Sequence, residues 1–64
     1  MGKPNEKLRT LRGKRTQAEV AEDLGITPSA YAQYERGERI PRDDIKQKIA
    51  KYYKRSVTFL FFSD

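Results

Sequence analysis

The segment Gly25-Ile26-Thr27-Pro28 constrains this chain more than any other feature. Gly25 reads as a helix stop, because glycine takes the left-handed conformation at a helix C-terminus at little cost. Thr27 and Pro28 read as a helix start: the hydroxyl can cap free amides, and the missing N–H of proline costs nothing in a first turn. Only Ile26 separates stop from start, so two helices must meet at a steep angle with almost no linker. Upstream, Thr16-Gln17-Ala18-Glu19 forms a capping box that opens the first of the pair. Downstream, Gly37 ends the second, which runs from near Thr27 to near Arg36.

Further elements flank this pair. Asn5 can cap an earlier helix, with Leu8 and Leu11 as its apolar stripe, and Gly13-Lys14-Arg15 then makes a basic loop. Val20, Ala21 and Leu24 share one face of the next helix, and Tyr31 and Tyr34 lie on the inward face of the one after. Asp43 and Asp44 suit the start of a fourth helix, whose stripe is Ile45, Ile49, Tyr52 and Tyr53. Ser56 can cap a last short element from Val57 to Phe62, a run whose β-branched and aromatic residues also allow a strand. If it is helical, Val57, Leu60 and Phe61 share one face and Phe59 and Phe62 point away from it. Residues 1–4 read as a loose, flexible start and residues 5–64 as a single domain.

The chain has 64 residues with neither cysteine nor histidine, which removes disulfides, thiolate metal sites, the usual zinc ligand and the usual general base. So short a chain has a thin core and little room for an enclosed active site, so no enzyme, cofactor or metal is expected. Lys and Arg number 14 against 9 Asp and Glu, a net charge of +5. Such a surface suits phosphate through counterion release, but it also suits an anionic membrane or simple solubility. The scatter of the basic residues over loops, rather than along one helix face, disfavours the membrane. No apolar run is long enough to span a bilayer and no signal peptide opens the chain, so a cytoplasmic, nucleoid-associated location is expected.

Two helices hinged in this way let the second enter the major groove of DNA while the first lies across the backbone. The geometry needs a small residue at the crossing, where Ala21 stands, and apolar inward positions, where Val20, Leu24, Ile26, Tyr31 and Tyr34 stand. It also needs short polar residues on the exposed face of the second helix, where Thr27, Ser29 and Gln33 stand. A helical hairpin packed for structure alone is the alternative, and the agreement of so many positions argues against it.

The groups Thr16-Gln17, Glu19-Val20-Ala21, Leu24-Gly25-Ile26-Thr27 and Tyr34-Glu35-Arg36-Gly37 resemble the helix-turn-helix of the phage lambda repressor and Cro-like family, also called the xenobiotic-response-element family. The likeness continues through Pro41, Ile49-Ala50-Lys51 and Ser56-Val57 to Leu60-Phe61. It implies an all-α fold, a compact bundle of about five short helices, with the helix-turn-helix over residues 17–36. It further implies a sequence-specific transcription regulator acting as a homodimer on a palindromic double-stranded DNA operator; a repressor is the preferred reading, although an activator needs the same groove contacts.

By the same resemblance, Thr27, Pro28, Ser29 and Gln33 match the base-reading positions, and Gln17 matches a glutamine that touches the DNA backbone. Gln33 is suited to adenine, whose N7 and N6 lie side by side in the major groove. Arg12 and Glu35 match a structural salt bridge. Thr16, Lys14, Arg15, Arg36, Arg39 and Arg42 are the expected backbone contacts, the basic ones in loops that would flank the groove. Pro28 departs from the long polar side chain frequent at its position, and Lys54-Arg55 replaces a glycine and an apolar residue. Phe59 and Phe62 are candidates for the dimer interface, the alternative being that they fold back over the core. A second reading of the whole chain is an antitoxin-type DNA-binding protein that also binds a protein partner.

Overall fold

The computed structural model describes residues 3–62, in which the chain forms helices and no strand. Residues 1 and 2 of the expected loose start, and 63 and 64 of the expected domain, lie outside the described residues. The helices are α1 (Glu6–Arg12), α2 (Gln17–Leu24), α3 (Pro28–Arg36) and α4 (Asp43–Tyr53), followed by a short π-helical segment, α5 (Thr58–Phe62). Of the two conformations open to the aromatic run, the helical one is adopted.

Each start has a chemical cause. The Asn5 side-chain oxygen accepts from the Leu8 amide and opens α1. At α2 the Thr16 hydroxyl accepts from Glu19 N at 3.0 Å, and the Glu19 carboxylate accepts from Thr16 N at 3.1 Å, completing the capping box. Thr27 accepts from Ala30 N at 3.1 Å, with Pro28 in the first turn of α3. Asp43 and Asp44 place negative charge in the first turn of α4, where the helix dipole favours it.

The ends of α2, α3 and α4 share one pattern. Gly25, Gly37 and Lys54 all have positive φ, and the next amide in each case returns to a carbonyl five residues back: Ile26 to Ala21, Glu38 to Gln33, Arg55 to Ala50. These are Schellman endings, in which a left-handed residue lets the chain turn back and satisfy its last carbonyls. At Gly25, with φ 73°, the turn swings the chain directly into α3. Lys54 makes the same turn with a Cβ at φ 58°. The replacement of glycine there leaves the turn in place and loads it with steric strain.

Leu8, Val20, Tyr31 and Ile49 are fully buried, one from each of α1 to α4, and Leu60 closes the core from α5. Burial of each large apolar side chain contributes on the order of 2 kcal/mol. Ala21, with no accessible surface, lies in this core on α2, the helix most closely packed against α3. Val57 and Phe61 pack against the core, whereas Phe59 and Phe62 remain exposed. Asn5 fastens three pieces together: its amide N–H donates to Glu35 O at 2.7 Å, and its side-chain amide donates to Leu60 O at 2.9 Å.

Candidate nucleic-acid interface

The helix pair is built so that α3 is buried along one side only. Tyr31, Ala32, Tyr34 and Glu35 are buried, Pro28, Ser29 and Arg36 are exposed, and Gln33 is half-buried. Thr27, the cap residue, is also exposed, so Thr27, Pro28, Ser29 and Gln33 all keep solvent-accessible surface at the N-terminal and middle part of α3. The side chains here are short, which lets the backbone of α3 approach a groove floor closely.

Beneath the exposed face lies a polar cluster. The Arg12 guanidinium donates to the two Glu35 oxygens, Nε to Oε2 at 2.6 Å and Nη2 to Oε1 at 3.2 Å. The Gln17 side-chain amide donates to the same carboxylate, Nε2 to Oε1 at 3.0 Å. Burial alone would push the Glu35 carboxyl up, but its hydrogen bonds with Arg12 and Gln17 outweigh that and hold it below the usual carboxylate range. The same bond to Glu35 raises the Arg12 guanidinium above its usual value, against the opposing effect of burial. The cluster ties α1, α2 and α3 together and fixes Gln17 at the start of α2.

Next to it, the Tyr31 and Tyr53 hydroxyls meet at 2.6 Å in the core, joining α3 to α4. Burial, and secondarily the bond to Tyr53, pushes the Tyr31 phenol far above its ordinary value. Sequence reasoning placed both rings in the core and missed this bond. The only signal was the presence of two tyrosines, rather than phenylalanines, at inward positions, since a buried hydroxyl requires a partner.

The expected backbone contacts divide. Lys14 and Arg39 are exposed, and the Arg39 guanidinium lies 6.0 Å from the Tyr34 ring centroid. Arg36, expected in a loop, is the last residue of α3, and its Nε donates to Glu38 Oε2 at 3.0 Å with both side chains more than half exposed. Arg42 precedes α4 and lies 3.7 Å from Asp44. The Thr16 hydroxyl accepts from Glu19 N as the cap of α2. Arg15 turns onto the protein: it donates to the Leu11 and Arg12 carbonyls and to the Tyr52 hydroxyl.

At the far end of α3 a groove of about 620 Å³ is lined by Tyr34, Arg39, Ile40, Lys46, Phe61 and Phe62 among others. Ile40 is 76% exposed and Phe62 62% exposed, whereas Phe59 is 42% exposed and the Lys7 ammonium lies 4.8 Å from its ring centroid. Ile40 was not among the expected interface residues, because an isolated isoleucine in a loop carries no periodicity. Lys46 is buried, with its ammonium 4.4 Å from the Phe62 ring centroid. No described helix is long and apolar enough to cross a membrane. Among the described residues no group of acidic, histidine or cysteine side chains could hold a metal ion.

Comparison with known proteins agrees with this geometry. The cryptic phage CTXphi transcriptional repressor RstR of Vibrio cholerae is 37% identical over 51 residues, covering 77% of this chain and 46% of that protein. The chain thus spans about half the length of the curated relative it matches. No solved structure matches it. The family model described as helix-turn-helix matches residues 6–60, nearly the whole of α1 to α5, and the chain therefore belongs to the helix-turn-helix family of lambda repressor and Cro-like proteins.

Proposed function

We propose that this protein is a DNA-binding transcription regulator, a repressor that places α3 in the major groove of an operator. The observation that carries the reading is the one-sided burial of α3: its inward face is locked into the core while Thr27, Pro28, Ser29 and Gln33 keep accessible surface. A helix buried on one side and furnished with short polar groups on the other suits direct readout of base edges. The name of the Vibrio cholerae relative, a phage transcriptional repressor, favours repression.

In this reading Gln33 pairs with adenine, and Thr27 and Ser29 contact base edges or phosphates. Pro28 shapes the approach of α3, since it offers no donor. Gln17, Thr16, Lys14, Arg39, Arg36 and Arg42 contact the DNA backbone, with Arg36 and Arg42 exchanging their carboxylate partners for phosphate. Residues 5–64 act as one domain, and the protein works where cellular or phage DNA is, in the cytoplasm. The exposed Phe59 and Phe62 support a homodimer on a palindromic site, because paired exposed phenylalanines are costly on a solitary surface.

Selection of bound duplexes from a randomised pool tests the reading. A recovered consensus in two inverted halves supports it, and recovery of unselected sequence contradicts it. Sedimentation of the wild type against the Phe59→Ser, Phe62→Ser double variant tests the dimer. A wild type that is monomeric at micromolar concentration removes the tail from the proposal.

A further inference from the structure

We propose that Arg15 is a positioning residue for DNA binding, a clamp that locks the α1–α2 loop against α4 through Tyr52, and not a phosphate contact. The inference rests on the DNA-binding reading above. The loop between α1 and α2 is short and carries Lys14, and it leads directly into Thr16 and Gln17 at the start of α2. Whatever fixes this loop also fixes three side chains proposed to meet the DNA backbone.

The Arg15 guanidinium makes most of the bonds that do this. Arg15 Nε donates to the Arg12 carbonyl at 3.1 Å and Nη2 to the Leu11 carbonyl at 2.8 Å, so the cation closes the C-terminal end of α1. Nη1 donates to the Tyr52 hydroxyl at 2.9 Å. The guanidinium carbon lies 5.2 Å from the Tyr52 ring centroid and 5.5 Å from that of Tyr53, within the range of cation–π attraction. Arg12 answers from the other side, donating from Nη1 to the Arg15 carbonyl at 2.7 Å. Tyr52 in turn donates to Asp23 Oδ2 at 2.7 Å, which carries the tie from α4 on to α2.

All three guanidinium nitrogens are thus bonded to this protein. Two N–H groups of this exposed residue remain for solvent, but a phosphate that drew the guanidinium off its partners would uncap α1 and break the contact with two aromatic rings. The planar fork of arginine reaches two carbonyls and a hydroxyl at once, which the single ammonium of lysine cannot do. Lysine nonetheless keeps the positive charge, and that difference separates a clamp from a phosphate contact.

The test measures affinity for a mixed-sequence 30-base-pair duplex across a salt series, for wild type, Arg15→Lys, Tyr52→Phe and the Arg15→Lys, Tyr52→Phe double variant, at a temperature where thermal melts show every variant folded. Backbone amide shifts of Lys14 and Gln17 are recorded without DNA. A clamp predicts that both variants move those amides and that both lose affinity by roughly three- to thirtyfold. It also predicts that the double variant loses no more than the weaker single variant. Retention of affinity in Arg15→Lys, with no effect of Tyr52→Phe, assigns a phosphate contact and overturns the proposal. Variants that melt earlier but, when folded, bind as wild type overturn it too, in favour of a purely structural role. A wild type that fails to bind the duplex sinks the DNA-binding reading itself, and the clamp's role with it, whatever the amide shifts show.

Discussion

Arg12 and Glu35, 23 positions apart in sequence, meet as a two-pronged ion pair with Nε to Oε2 at 2.6 Å. The Glu35 side chain is 5% exposed and that of Arg12 20%, so the pair lies largely out of water between α1 and α3. A pair of this kind is dearer to break than to replace, because removal of one partner leaves the other charge buried. Arg12→Met should therefore cost about 3 kcal/mol in urea unfolding, by stranding the Glu35 carboxylate. Glu35→Gln should cost less, since the neutral amide still accepts from Arg12. Equal losses from the two variants would contradict the assignment of Glu35 as the more deeply buried charge.

The same carboxylate makes stability depend on acid. Glu35 titrates below its ordinary value of 4.5 because its hydrogen bonds overcome the effect of burial. A folded-state pKa below the unfolded one gives stability that is fully present above the unfolded value and is lost as pH falls through the folded value. Urea midpoints of the wild type should hold steady from neutrality to about pH 5 and then decline. Glu35→Gln should decline less steeply over the same acidic window, and parallel curves would contradict this.

Lys54 closes α4 with φ at 58°, where Gly25 and Gly37 do the same for α2 and α3. A side chain in this conformation costs on the order of 1 kcal/mol that glycine avoids. Lys54→Gly should raise the thermal midpoint by roughly 4–8 °C in a domain of this size. An unchanged or lower midpoint would show that the lysine turn carries no strain.

Arg36 is occupied by Glu38 in the free protein, with both side chains mostly in water. Phosphate must compete with that carboxylate. Glu38→Gln should tighten binding to every duplex alike and leave base preference unchanged. If Arg36 then takes up a phosphate it did not contact before, the salt dependence should steepen by about 0.9 in the log–log slope. Weaker binding on the substitution would mean that Glu38 orients Arg36 rather than masks it.

Much of the architecture was legible in short signals. The capping box at Thr16 and Glu19, the Thr27-Pro28 start and the Gly25 stop are local, since each acts through groups within a few residues, and each appears where local chemistry puts it. The aromatic run at 57–62 was not decidable locally, because side-chain propensity there suits a strand as well as a helix. Tertiary contact decides it: Leu60 fills the core and its carbonyl accepts from Asn5. The bonds that orient the candidate interface were hidden for the same reason. Arg15 to Tyr52 spans 37 positions and Tyr31 to Tyr53 spans 22, and no local pattern encodes them. Basic residues in loops look equivalent in the sequence; Lys14 and Arg15 are both exposed, and only the fold shows the Arg15 guanidinium bonded to Leu11, Arg12 and Tyr52.

The central claim is that α3 reads bases, and Gln33 is the side chain on which it turns. The most direct measurement compares wild type and Gln33→Ala on the duplex recovered by selection and on a scrambled duplex, at one fixed salt concentration. The account predicts a loss of about 1–3 kcal/mol on the selected duplex and almost none on the scrambled one. An equal loss on both duplexes, or no loss on either, would contradict it.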